Sequence, residues 1–409
     1  MEIRLPMLLD GGTGTELQKR GFRSQQSSEE WVLEHPEALI DIQSGYIKAG
    51  SQAVMSCTFG ASRPKLSQRG LGDKVPETIG KLVAISKEAV KASGKEAYVA
   101  GDIGPCGHFL SPLGDLTFEE FYDVMIEQAQ ALDAAGADYF EVETMMNIPE
   151  VRAAILACRK VSDKPVFVSV SCDENGRMLM GTDVIAALLI AQGMGAAAFG
   201  LNCSTGPDHM LEQIRRLAPY AKIPLIAKAN AGMPSVVGDQ TVYDCPPEQY
   251  AEYIPQLLDA GASILGGCCG TDVRYIELMK KILDEKSPAV IPQQNEDMLP
   301  AATEKDAMFL PSDITVDTIC DVNDDFEDDI LDVLDEEPEV VGIRIDSDDA
   351  AGIWAETQYQ VSRPVCFFCE DEELLEKALR AYQGRAMYSG DLDPGFLAVM
   401  SDRYGLIVL

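Results

Sequence analysis

Short, nearly continuous apolar runs recur through the first 270 residues: "MLLDGG" (7–12), "AVMSCTF" (53–59), "AYVAGDIG" (97–104), "YFEVETM" (139–145), "PVFVSVSC" (165–172), "AAFGLNCS" (197–204), "PLIAKAN" (224–230) and "SILGGCCG" (263–270). Runs without strict alternation are expected of parallel strands buried on both faces. Amphipathic stretches of helical period separate them. "PEALIDIQSGYIKAG" opens on Pro36, suited to a first helical turn, and closes at Gly50. Thr117, with Glu120 three residues on, has capping-box spacing ahead of a helix that closes near Gly136. Pro255 interrupts the stretch before Gly261, which predicts a kink or a late helix start. Eight strand–helix units in about 285 residues predict a TIM (β/α)8 barrel. An open doubly wound sheet, built from similar units, is the competing arrangement.

The pattern breaks near residues 284–308, where proline, glutamine and charge dominate. We read residues 1–285 as the barrel, 286–310 as a linker and 311–409 as a smaller α/β domain. In that last part "VVGIRID", "PVCFFC", "GRAMYSG" and "YGLIVL" have the look of strands, and "DEELLEKALRAYQ" of a helix. The acidic run at 321–339 reads as a solvated helix face or a loosely ordered segment, since it lacks the central glycine of an EF-hand loop.

Composition changes this picture in three ways. The chain is 46% hydrophobic over 409 residues, enough for a sizeable core. Its formal net charge of −34 argues against nucleic-acid and anionic-membrane partners, which need basic patches. The 11 cysteines, spread thinly, favour free thiols or metal ligation over a disulfide framework. The absence of a long apolar run, at the N-terminus or elsewhere, leads us to expect a cytoplasmic protein.

In barrels of this type the active site lies at the C-terminal strand ends. Those ends carry Asp10-Gly11-Gly12, Thr58, Asp102, Glu143-Thr144, Cys203, Asn230 and Cys268-Cys269. Strands six and eight are separated only by strand seven, so Cys203 and the adjacent Cys268–Cys269 pair can approach one point. Three thiolates favour zinc, and three ligands with one open position is the pattern of a catalytic zinc rather than a structural one. The bland reading of any one cysteine is a small buried hydrophobe, and we read Cys57, Cys106, Cys158, Cys172, Cys245 and Cys320 that way. "CFFC" (366–369) lies within an apparent strand and reads as structural. "DGGTGTEL" does not have the spacing of a phosphate loop; its glycines let backbone approach a small ligand.

"DGGTGTEL", "GDIGP" (101–105), "VETM" (142–145), "GLNC" (200–203), "ANAG" (229–232) and "GGCCGT" (266–271) occur in the order seen in homocysteine S-methyltransferases. The region from residue 1 to about 285 resembles the homocysteine-binding barrel of cobalamin-dependent methionine synthase and of betaine–homocysteine methyltransferase. "SCTF" stands where the family often has "TNTF", with Cys57 in place of Asn. The resemblance implies a zinc ion bound by Cys203, Cys268 and Cys269, with the homocysteine sulfur as fourth ligand. It implies that Asp10 and Glu143 hold the substrate ammonium, that the amides near Gly11 and Gly12 and the Thr58 hydroxyl meet its carboxylate, and that Asn230 approaches the metal in the absence of substrate. Residues 364–390 are similar to part of a pterin-binding barrel, without a complete folate site or a cobalamin module. The expectation is therefore zinc-dependent methylation of homocysteine to methionine, from methylcobalamin on a separate corrinoid protein. S-methylmethionine or another small donor, or a barrel that binds zinc and thiol without turnover, are the alternatives.

Overall fold

The structure, a computed structural model, describes residues 3–23, 26–111, 113–237 and 240–409. Numbered in chain order, its first strands are β1 (Met7–Leu8), β2 (Ala53–Met55), β3 (Tyr98–Ile103), β4 (Tyr139–Met145), β5 (Val166–Val170), β6 (Ala198–Asn202) and β7 (Leu225–Ala229). An antiparallel hairpin of β8 (Pro234–Val237) and β9 (Gln240–Tyr243) follows, and then β10 (Ala262–Gly267). One eight-stranded parallel sheet runs in the order β1-β10-β7-β6-β5-β4-β3-β2. Each strand lies beside the next of its set, so no reversal of strand order occurs and the doubly wound alternative fails.

The seam between β1 and β2 is bridged rather than open. The Gln52 N–H donates to the Leu8 carbonyl (2.7 Å) and the Leu8 N–H to the Gln52 side chain (2.8 Å). The Ser51 hydroxyl donates to the Leu9 carbonyl (3.0 Å), and the Met55 N–H to the Asp10 carboxylate (2.9 Å). The sheet is a TIM barrel, as the strand pattern predicts. Its floor is apolar: Met7, Leu9, Met55, Tyr139, Phe167, Ile226 and Ile264 form one buried cluster, with the Tyr139 and Phe167 rings 4.7 Å apart. Period-two geometry puts Glu141 and Glu143 on the same face as Tyr139, and Lys228 on the same face as Ile226. The interior thus turns from apolar to charged as the strands rise toward their C-terminal ends.

The helix signals were also informative. Pro36–Ala49 is a helix that closes at Gly50 with φ 124°. Thr117 and Glu120 form the capping box ahead of Phe118–Ala134. Pro255 falls where Pro247–Ala251 ends and Ile254–Asp259 begins, so the chain breaks there instead of bending one long helix.

By contact, the chain forms two compact units: residues 1–179 with 196–292, and residues 180–195 with 293–409. The second contains β11 (Met298–Ala302) and β12 (Ala307–Pro311), an antiparallel pair lying where the sequence reads as linker. Pro300 and Pro311 disguise it, since proline is tolerated at strand edges but reads as a breaker. A five-stranded parallel sheet follows in sequential order: β13 (Ile319–Asp321), β14 (Val341–Arg344), β15 (Val365–Phe368), β16 (Met387–Tyr388) and β17 (Ile407–Val408). Trp354, buried among Phe326, Phe367 and Tyr382, anchors one side of this sheet and donates its indole N–H to the Ala378 carbonyl (3.2 Å). Cys366, Met387 and Ile407 form a second cluster with Ala301 and Leu310 of the β11–β12 hairpin. The acidic run folds as helix Phe326–Asp335, with Phe326 and Ile330 buried and its carboxylates outward.

Helix Val184–Gly193, in the segment between β5 and β6, belongs to this second unit, where it packs on β11, β12 and helix Pro394–Tyr404. It is apolar all round, with Val184 and Ala186–Ala191 buried. Among the described residues no helix is long and apolar enough to cross a membrane.

Candidate functional site

β6 ends at Asn202, and the backbone then turns through two left-handed residues, Cys203 (φ 62°) and Ser204 (φ 59°). Side-chain-bearing residues rarely adopt this conformation, and it persists only where surrounding structure enforces it. Here the Cys203 N–H donates to the Lys228 carbonyl (3.1 Å), and the Thr205 N–H returns to the Cys203 carbonyl (2.7 Å). β10 ends at Gly267, so Cys268 and Cys269 lie in the turn beyond it, where alternation no longer separates neighbouring side chains. The Cys268 N–H donates to the Ala229 carbonyl and the Ala231 N–H to the Cys269 carbonyl, both at 2.9 Å. The Gly267 N–H donates to the Asp10 carbonyl (2.9 Å) and the Gly12 N–H to the Thr271 hydroxyl (3.0 Å). These bonds lace the ends of β1, β6, β7 and β10 together.

The result is a single sulfur cluster: the Sγ atoms of Cys203, Cys268 and Cys269 lie within 4.8 Å of one another. These three cysteines are partly exposed, whereas the other eight are buried. Hydrogen bonds from Cys268 and Cys269, together with one from Asn230, hold the Cys203 thiol far below its ordinary value. Cys268 and Cys269 are pushed up in turn, chiefly by their hydrogen bonds to Cys203. Asn230 is buried, and its Oδ1 has no hydrogen-bond partner. Three soft sulfur donors beside a free buried amide oxygen suit a thiophilic metal ion. Among the described residues this is the one group of His, Cys, Asp and Glu side chains close enough to share an ion.

Two side chains brace the cluster. Asn202 accepts from the Thr144 N–H (2.8 Å) and the Ser169 hydroxyl (2.9 Å) and donates to the Thr144 hydroxyl (2.6 Å), tying β4, β5 and β6 together. Tyr243, from β9, hydrogen-bonds the Cys269 side chain. Its ring fills the space over Gly270, where a Cβ would lie 2.5 Å from it.

Behind the sulfurs the barrel interior is acidic. Asp10, Asp102 and Glu141 are buried, and the side chain of Glu143 is 14% exposed. Lys228 stands among them, 2% exposed, with Nζ 2.5 Å from Glu143 Oε2 and 3.7 Å from Glu141 Oε1. Burial pushes the Asp10 carboxyl up to about 7, against the pull of Lys228 and of the Met55 N–H. Burial likewise raises Glu141 to about 7 and raises Asp102, with Lys228 opposing both.

The structure therefore brings Asp10, Glu143, Asn230 and the three cysteines to one mouth. Thr58 and Gly12 are there too, but their polar groups are already engaged. The Thr58 hydroxyl donates to the Asp102 carbonyl (2.7 Å), and the Gly12 amide is held by Thr271. Gly11 lies against the ring of Tyr46, where a Cβ would come within 2.9 Å. Sequence reasoning overlooked Glu141, Lys228, Asn202 and Tyr243. The signal for the first two was present: each is a charged residue within an apolar strand run, which needs a partner to be buried there.

A family model described as homocysteine S-methyltransferase matches residues 7–283. Methionine synthase of Mycobacterium tuberculosis (strain ATCC 25618 / H37Rv) is 32% identical over 298 residues, covering 69% of this chain. Methionine synthase of Mycobacterium leprae (strain TN) is 30% identical over 302 residues, covering 70%. The chain spans only 25% of the length of either relative. Among solved structures, the homocysteine methyltransferase MmuM of Escherichia coli in its oxidized form superposes with a TM-score of 0.59 at 25% identity, over 68% of this chain and 95% of its own. Its metallated form gives 0.58 at 27% identity, over 68% of this chain and 96% of its own.

Proposed function

The chain belongs to the homocysteine S-methyltransferase family, and from that premise we propose that it transfers a methyl group to the thiol of homocysteine, giving methionine, at a zinc ion held by Cys203, Cys268 and Cys269. The observation that carries this reading is the meeting of three sulfurs at the barrel mouth, directly above buried carboxylates. A free thiol with a pKa near 8.5 is only about 3% ionised at pH 7. Zinc, when bound, supplies the substrate thiol in its ionised form at neutral pH.

The chain's own residues supply the rest. The laced ends of β1, β6, β7 and β10 hold the three sulfurs in fixed register. Asn202, whose Nδ2 lies 4.0 Å from Cys268 Sγ, and Tyr243, bonded to Cys269, flank the cluster. Glu143 and Asp10 receive the ammonium of an amino-acid thiol, which distinguishes it from a plain thiol. Asn230, hydrogen-bonded to Cys203 and with its Oδ1 unpartnered, would be free to approach a bound metal when substrate is absent.

For the donor we propose a methylcobalamin-carrying protein acting in trans, in keeping with the higher identity to the two methionine synthases. A small donor such as S-methylmethionine is the second reading: the match takes in 95% of a chain that is itself named a homocysteine methyltransferase, which leaves little of that chain for a separate donor-binding module. We assign the unit of residues 1–179 and 196–292 to the homocysteine-binding zinc barrel, and the unit of residues 180–195 and 293–409 to a structural or docking role. The deciding experiment offers homocysteine with methylcobalamin, S-methylmethionine and betaine in parallel and measures methionine. The same preparation should hold about one zinc per chain, lost in Cys203→Ala, and should release about one proton on binding homocysteine near pH 7. No methionine from any donor, a corrinoid protein included, would leave only the binding-module reading. A native protein free of zinc would end the mechanism.

A further inference from the structure

Four carboxylates, Asp10, Asp102, Glu141 and Glu143, face a single ammonium in the barrel interior. Lys228 reaches them from β7, between Asn202 on β6 and Gly266 on β10. Gly266 makes room for it: a Cβ there would come within 3.2 Å of the lysine's Cγ. Its Nζ is committed to Glu143, at 2.5 Å, and stands off Glu141, at 3.7 Å. Glu141 is wholly buried, yet neither of its carboxylate oxygens has a hydrogen-bond partner. A buried carboxylate left so is costly, and its position one strand step below Glu143 makes it the obvious second seat for the same ammonium.

Glu143 is also the carboxylate assigned above to the substrate ammonium, and the inference rests on that reading. The lysine and the substrate then need the same oxygen. We propose that Lys228 is a positioning residue that sits on Glu143 in the substrate-free site as an internal stand-in for the substrate ammonium, and withdraws to Glu141 when an α-amino thiol binds. The exchange keeps one cation on Glu143 throughout. It also shortens the long Lys228–Glu141 ion pair to a hydrogen bond only in the occupied site, so part of the affinity for the amino group comes from a contact the substrate never touches. A thiol without an amino group cannot displace Lys228 and gains none of this.

The test compares binding of homocysteine with that of 4-mercaptobutanoate, which keeps the thiol and carboxylate but lacks the amine, to the zinc-loaded whole chain by calorimetry at about pH 8, where Glu141 is ionised. Homocysteine binding by the wild-type protein tests the underlying assignment by itself; if neither thiol binds, that assignment fails first. Glu141→Gln should cut the preference for homocysteine about tenfold, the effect of one weakened charge-assisted contact, while leaving 4-mercaptobutanoate unaffected. Lys228→Met removes the competitor and should raise the preference above wild type. Adding Glu141→Gln to Lys228→Met should then change nothing further. A merely structural Glu141 would weaken both thiols alike, and a lysine that binds the substrate carboxylate would do the same when removed. An unchanged preference in either single variant overturns the exchange, and either variant alone suffices should the other not fold.

Discussion

Glu141 has an environment that favours its neutral form, and this has a measurable sign. Its carboxyl titrates near 4.5 when unfolded and about 7 in the folded barrel, because burial outweighs the help of Lys228. Between those values the native state holds more protons than the unfolded chain, so stability falls as pH rises. Below the unfolded pKa Glu141 carries no such penalty; above 7 the penalty is complete. Glu141→Gln should therefore stabilise the metal-free protein by on the order of 2–3 kcal/mol at pH 8 and by little at pH 5, read from urea midpoints at the two pH values. Equal shifts at both would show that burial of the charge is not the cause. The cysteines were legible residue by residue, because Cys203 and the Cys268–Cys269 pair fall at the ends of the sixth and eighth apolar runs of an eight-unit pattern. Lys228 was legible only as a buried charge in need of a partner, because those partners are Asp10, just past β1, and carboxylates of β3 and β4, which no local pattern connects to β7.

At the scale of elements, what matters is how strands end. β10 stops at Gly267, and the turn that follows packs against the Gly12 backbone, where an added Cβ would lie 2.5 Å from the Cys268 carbonyl oxygen. Gly12→Ala must displace that turn. We expect it to lower zinc content and to cost about 1–3 kcal/mol, measured by metal analysis and thermal unfolding. Full zinc retention would mean that the turn yields elsewhere. All eight barrel strands were legible from their apolar runs, and the helices from Thr117, Pro36 and Pro255. The β11–β12 hairpin, strand β13 and helix Asp348–Thr357 were not. The hairpin contains prolines, β13 has three residues with both ends exposed, and the helix begins among acids that read as a continuation of the solvated run.

At the scale of the whole chain, the two compact units are not contiguous in sequence. Helix Val184–Gly193 has no polar face, and its contacts with β11, β12 and helix Pro394–Tyr404 all come from residues beyond 293. A chain cut after Pro292 should therefore expose apolar surface on this helix and run as soluble aggregates or precipitate, whereas the full chain does not; size-exclusion chromatography of the two decides it. A monodisperse truncated protein would show that the helix finds cover elsewhere. Apolar periodicity alone could not reveal this, since a helix buried on every side looks the same whichever unit supplies the burial.

The same interruption has a temporal side. A ribosome delivers helix Val184–Gly193 before any of the strands it packs on, and the roughly 100 residues between Gly195 and Gln293 must be made first. At about 5–20 residues per second that is a delay of roughly 5–20 s. Throughout it, the emerging barrel carries an apolar helix with nothing to dock against, the kind of surface that a chaperone recognises.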